Sequence, residues 1–238
     1  WPDPGLAFDV FLHLGTLIAL VVYFFGDVMR LLGGGFTSIV ERRIGFERDQ
    51  RLFWLLVAGT VPGAAAGWLF SEYAETTFRN APLLIAVMLA FVGFLIAWVD
   101  SAFPLLRRFD EIGFLDAWLI GCAQACAIIP GVSRSGASIG MARRLGLNRE
   151  AAARFSFMLC MPIIFGAALH EGGTLLEELG GHIQWSYVLT GFFSSMFFGF
   201  LAIHFMLIYL RNADLVKFTW YRVGLAFFVV VWSIAFKV

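Results

Sequence analysis

Residues 117–147 read AWLIGCAQACAIIPGVSRSGASIGMARRLGL, and the way this stretch meets a membrane decides the fold. Its opening segment, 117–129, is apolar but too short to cross a hydrocarbon layer of roughly 30 Å, for which a helix needs about 20 residues. It runs straight into Pro130 and Gly131, then Ser133, Arg134, Ser135 and Gly136. A short helix, a polar glycine-rich break and a second short helix describe a re-entrant hairpin over 117–147. Such a break is tolerated at membrane depth only where protein or a water-filled cavity surrounds it.

The rest of the chain fits that membrane setting. The 238 residues are 60% hydrophobic and 14% charged with a mean hydropathy of +0.82, which excludes an ordinary water-soluble domain. The apolar runs are too long for the strands of an outer-membrane barrel, and a net charge of zero excludes a polybasic nucleic-acid binder. Six runs can cross: 6–25, 52–71, 82–99, 151–170, 186–210 and 221–237. The expected fold is therefore an all-α polytopic membrane protein with six transmembrane helices plus one re-entrant helix-loop-helix. It forms a single integral membrane domain over 1–238, part of an inverted-repeat architecture.

Charge supports the hairpin. If 117–147 dips in and returns, fourteen of the seventeen lysines and arginines fall on the inner side; a full crossing would move Arg143, Arg144, Arg149 and Arg154 to the other side. The glycines at 33–35 and the charged run 41–51 form the longest polar connection, read as an interfacial helix and a turn. Pro62 and Pro162 sit inside spans, where each removes a backbone donor and favours a kink.

The chemistry concentrates in PGVSRSG, 130–136. An arginine in the apolar layer costs about 2.5–3.5 kcal/mol on the lenient insertion scale, so Arg134 needs an anion or water. Gly131 and Gly136 permit positive φ, and a helix beginning near Ala137 would aim its free amides at the same spot. Amides, the Ser133 and Ser135 hydroxyls and the forked guanidinium make an anion cradle suited to phosphate. The bland alternative is an Arg134 bonded to carbonyls that only ties the break together.

Other polar residues signal less. Gln124, ten residues before Arg134, reaches the cavity or packs on a neighbouring helix. Asp9 and His13, one turn apart, line an outer entrance or form an interfacial pair. His204 reads as a helix-contact histidine, and Tyr221 with Arg222 as an interfacial anchor. Cys122, Cys126 and Cys160 read as small core residues, and no metal-ligand set is apparent.

PGVSRSGASIGMARRLGL (130–147) followed by AAARFSFMLCMPIIFGA (151–167) resembles the second signature region of the undecaprenyl-diphosphate phosphatase family, the bacitracin-resistance type of membrane phosphatase. FDVFLHLGTLIALVVYF (8–24), VAGTVPGAAAGWLF (57–70), GCAQACAIIPG (121–131) and FTWYRVGLAFF (218–228) resemble it in the same order, so the likeness covers nearly the whole chain. Ser138, where threonine is common, is a mild departure. The resemblance implies hydrolysis of undecaprenyl diphosphate to undecaprenyl phosphate and phosphate, recycling the lipid carrier of cell-wall synthesis. The site would face the outer side of a bacterial plasma membrane.

It further implies Arg134 and Ser133 as catalytic residues, with Gly131, Ser133, Arg134, Ser135, Gly136 and Gln124 binding substrate. A divalent metal, Mg²⁺ or Ca²⁺, and a possible homodimer also follow from the likeness alone. The family carries an earlier acidic and Ser-Ser-Thr-Gly-His signature that supplies its metal-binding carboxylates, and nothing in these residues matches it. The expectation is that an N-terminal re-entrant segment is missing here and that the 238 residues alone are inactive. Broken helices meeting at mid-membrane also suit a carrier, so translocation of a polyprenyl phosphate or a small anion is the alternative.

Overall fold

The computed structural model describes residues 6–44, 47–73, 81–178 and 185–236, and among these it is helical, with no strand. The helices are α1 (Leu6–Tyr23), α2 (Phe25–Glu41), α3 (Arg48–Tyr73), α4 (Pro82–Ala102), α5 (Phe114–Ala125), α6 (Arg134–Arg144), α7 (Arg149–Glu178), α8 (Trp185–Asn212) and α9 (Val216–Phe236). Five of them, α3, α4, α7, α8 and α9, are long and apolar enough to cross a membrane alone. A sixth candidate is the pair α1 and α2 taken together, which is bent by 85° at its break. The protein is thus a multi-pass helical membrane protein.

The bend at Phe24 gives α2 three faces. Leu31, Gly35 and Ser38 are buried against α3, while Phe25, Met29, Leu32 and Phe36 form an exposed apolar stripe. Asp27, Arg30 and Glu41 lie on the polar side. This is the pattern of a helix lying in the interface, as expected for that connection. The expected end of the first span at 25 is replaced by a sharp corner at 24. Pro62 and Pro162 both lie within unbroken helices.

Packing radiates from α7, whose Ala152, Ala153, Phe155, Met158 and Leu159 are almost wholly buried. It touches α1, α3, α6 and α8, with α1 on α8, α3 on α5 and α4 on α9 completing the bundle. Without a hydrophobic drive between helices in lipid, close backbone approach supplies the contact. Gly59 of α3 and Gly121 of α5 show it: a Cβ on Gly121 would overlap the Gly59 carbonyl. The outward faces of α4, α8 and α9 carry Phe91, Phe94, Trp98, Phe197, Phe198, Phe227 and Trp232, suited to lipid. The charge pattern expects Glu72, Glu75 and Arg79 in one outer loop, Glu177, Glu178 and His182 in or beside another, and Lys237 at the last helix end; all fall outside the described side chains.

Between α4 and α7 the chain makes the hairpin. With twelve residues, α5 is about 18 Å long, too short to span. Both feet of the hairpin meet at one end. Arg107 holds Asp116 at the start of α5 by two bonds (2.5 and 3.1 Å) and also donates to the Leu145 carbonyl at the end of α6 (3.0 Å). Its backbone pairs beside Leu147 as an isolated parallel bridge. Arg143, fully buried, donates to Asp100 (2.8 Å), to the carbonyls of Phe103 and Pro104, and to that of Leu147. Asp100 also accepts from Arg149 (2.9 Å) and from the Leu215 amide (3.1 Å), so one carboxylate ties α4, α6, α7 and the α8–α9 turn. Ion pairs Arg154–Asp27, Arg48–Asp110 and Arg211–Glu150 join segments that the charge census places on the same inner side.

Candidate active site

The tip of the hairpin departs from regular helix in a few residues. α5 ends in a 3₁₀ turn at Cys126–Ile128, Ile129 is extended, and Gly131 takes φ +89°. A Cβ on Gly131 would strike the Ile85 carbonyl of α4, so glycine is required there for both φ and space. Ser133 is also left-handed, at φ +71° and ψ 119°, uncommon for a residue with a side chain. It caps α6: its Oγ accepts the Gly136 N–H at 3.2 Å.

Two expectations need correction. The helix begins at Arg134, one residue after the Ser133 cap, and not near Ala137. Gly136 is not left-handed; it sits in the first turn of α6, where a Cβ would press on Ile96 at 3.2 Å. Ser133 takes the positive φ assigned to Gly136. A serine can hold the strained position because its side chain recovers a hydrogen bond from doing so.

Beside the tip lies a cleft of about 270 Å³ lined by Thr16, Leu20, Ser133, Arg134, Ser135, Phe157, Cys160, Ile164 and Ile203. The Arg134 guanidinium makes no hydrogen bond or ion pair with any described residue. Ser133 and Ser135 hydroxyls sit 3.4 Å apart beside it. The Ser133 oxygen is engaged as the cap acceptor, which leaves its proton to donate. The Arg134 and Ser135 N–H groups open α6 and have no carbonyl of that helix to bond. Below them Ser138 donates to the Arg134 carbonyl (2.8 Å) and meets Ser156 of α7 (2.5 Å), fixing the first turn of α6 to the buried helix.

Of the six residues assigned to substrate, Ser133, Arg134 and Ser135 line the cleft; Gly131 faces α4 and Gly136 faces Ile96. Gln124 is buried near the break but does not line the cleft, and both its amide atoms lack a hydrogen-bond partner among the described residues. Thr16 enters the cleft unforeseen, bonded to Ser195 (2.8 Å) and the Leu12 carbonyl (3.1 Å). Extending the His13 face of α1 by one turn finds it. His13 itself is exposed, and Asp9 lies outside the described side chains. His204 meets Tyr23 at 3.3 Å as a helix-contact histidine. Arg222, read as an anchor, instead donates to the Gly131 carbonyl at 2.8 Å. The three cysteines are free thiols.

The fold and the cleft define a multi-pass helical membrane protein with an unpaired guanidinium and two hydroxyls at a break between two short helices. The family described as bacitracin resistance protein BacA matches residues 1–228, and the chain belongs to that family. It is 45% identical over 232 residues to an undecaprenyl-diphosphatase of Moorella thermoacetica, covering 97% of this chain and 84% of the relative. Undecaprenyl-diphosphatases of Pelotomaculum thermopropionicum (46% over 228 residues, 95% and 82%) and Rubrobacter xylanophilus (44% over 222 residues, 93% and 81%) are similarly alike.

Proposed function

We propose that the protein hydrolyses undecaprenyl diphosphate to undecaprenyl phosphate and inorganic phosphate. The observation that carries this reading is the unpaired Arg134 guanidinium in a cleft otherwise lined by hydroxyls and apolar side chains. The cost of holding that charge in the membrane is offset when an anion docks on it. A diphosphate matches the planar fork of the guanidinium, and its polyprenyl tail stays in lipid. Arg134 neutralises charge developing on the phosphoryl oxygens while the Ser133 and Ser135 hydroxyls and the first amides of α6 donate hydrogen bonds to them. Those donors are held by the cap and by the Ser138–Ser156 contact, so they need no rearrangement as the bond breaks.

The divalent Mg²⁺ or Ca²⁺ implied by the resemblance does not fit these residues alone. The cleft is lined by no carboxylate or histidine, and no three His, Cys, Asp or Glu side chains converge among the described residues. Our reading also places the opening toward the outer leaflet. Cys160 lies about 16 Å along α7 from Arg149, near mid-membrane, and the inner end is closed by the Asp100, Arg143 and Arg149 cluster.

The test is phosphate release from a polyprenyl diphosphate by the full-length gene product in lipid. Release that survives Arg134→Ala unchanged would overturn the assignment of the site. Lipid crossing the bilayer without phosphate release would mark a translocase instead.

A further inference from the structure

We infer that Arg222 is the positioning residue that sets the polarity of the break, holding the Gly131 and Val132 carbonyls toward α9 and so turning the Ser133 N–H toward the cleft. The inference rests on the phosphatase reading for its purpose and on geometry for its substance.

A helix broken inside the apolar layer exposes carbonyls that have no donor within the hairpin. At this break the two carbonyls immediately before Ser133 are served from a different helix. Arg222 of α9 donates through Nη2 to Gly131 (2.8 Å) and Val132 (3.2 Å), and through Nε to the Leu89 carbonyl of α4 (3.1 Å). One turn earlier, Thr219 donates to the Gly93 carbonyl (2.8 Å), so two successive turns of α9 are registered on α4. Gly93 gives the arginine room, for a Cβ there would already touch the Arg222 stem at 3.4 Å. Among the described residues Arg222 has no carboxylate partner, so its charge is met by carbonyl dipoles alone. A hydrophobic side chain would pack there without that cost.

The gain lies in the peptide planes. A trans peptide points its C=O and N–H in opposite directions, and the described chain has no cis peptide. Drawing the Val132 carbonyl toward α9 therefore turns the Ser133 N–H away from α9. Ser133 is held at φ +71° because the backbone on its N-terminal side is bonded from outside and its side chain caps α6 on the other. The Gly131–Val132 peptide is also held by its N–H on the Ile129 carbonyl (3.2 Å), so without the guanidinium it is the Val132–Ser133 peptide that is free to rotate, and its carbonyl turned into the cleft would repel the diphosphate. The carbonyl-bonding role conceivable for Arg134 is carried by Arg222, which leaves Arg134 to face the anion.

The experiment uses the full-length gene product in lipid nanodiscs. Arg222→Met should lower kcat for polyprenyl diphosphate by about 10- to 100-fold, the worth of charged hydrogen bonds to a held group. Arg222→Lys, which keeps the charge but not the fork, should recover only part of it. In an Arg134→Ala background the same change should cost less than about 3-fold, because Arg222 acts through the segment that carries Arg134. Amide exchange over 131–136 should quicken in Arg222→Met and stay unchanged along α7. Independent, multiplicative losses with unaltered exchange at 131–136 would overturn the inference. If Arg222→Met does not fold, Arg222→Lys carries both readouts. Wild-type protein that releases no phosphate defeats the phosphatase reading, and the exchange result still judges the clamp.

Discussion

The two ends of the 114–144 hairpin handle charge in opposite ways. At its base three arginines are paired with carboxylates: Arg143 and Arg149 share Asp100, and Arg107 holds Asp116 in a fork. At its tip Arg134 has none, Ser133 is left-handed, and the buried Gln124 amide lacks partners among the described residues. The two ends lie about 18 Å apart along α5, so the difference reflects position and not composition. A fully satisfied base over-determines the hairpin, and that surplus is what lets the tip persist in a strained and electrostatically open state. The paired charges sit at the feet and the unpaired one at the break.

This contrast can be broken by substitution. Arg134→Ala should lose about two to four decades of phosphate release, as two charge-assisted bonds would, while the unfolding midpoint in detergent scarcely moves. A drop in both would erase the distinction. Asp100→Ala should do the reverse. It strands the wholly buried Arg143 and should cost about 3–5 kcal/mol of stability, with activity per folded molecule nearly retained.

Ser133→Gly sharpens the comparison. Relief of the positive φ should stabilise the protein by about 1 kcal/mol, while loss of the hydroxyl donor lowers turnover by about 3- to 10-fold. Thermal unfolding and phosphate release on one preparation would show the two moving in opposite directions.

The smallest effect is at the α5 foot. Burial opposes ionisation of Asp116, but hydrogen bonds from Arg107 and the Gly113 amide outweigh it and hold the carboxyl below its usual range. A depressed carboxyl contributes stability above its unfolded value near pH 4, lost as pH falls through the folded one. The unfolding midpoint should therefore fall below about pH 4 more steeply in wild type than in Asp116→Asn, by an amount typical of a partly exposed pair, about 1 kcal/mol.

Much of this was legible in sequence. Hydropathy found the five long apolar helices and the bent α1–α2 pair, the stretch 117–147 folds as the short helix, break and short helix read from it, and PGVSRSG supplies Ser133, Arg134 and Ser135 to the cleft. At Phe24 only the end of the apolar run was legible, since Gly26 and Asp27 follow it; the sharp turn was not, because direction is set by packing on α3. The left-handed residue was misplaced because glycine is the default for positive φ, and only the Gly136 bond shows why Ser133 takes it. Arg222 was read as an anchor because its partners lie 90 and 91 residues away. The face it shares with Leu215, Thr219 and Ala226 at helical spacing, all three buried, was the available sign. Gln124 was found near the break, but its spacing alone does not say which way a side chain on α5 points.

The length of α5 has one further consequence. In the proposed outward-opening arrangement, its twelve residues set the depth of Arg134 from the inner surface, whereas the substrate headgroup lies at a depth set by the bilayer's outer surface. Substrate and cradle are thus positioned by two independent rulers, one of protein and one of lipid. Vesicles of increasing acyl-chain length should draw the headgroup plane away from the break, making membrane thickness a control on how readily the diphosphate reaches Arg134.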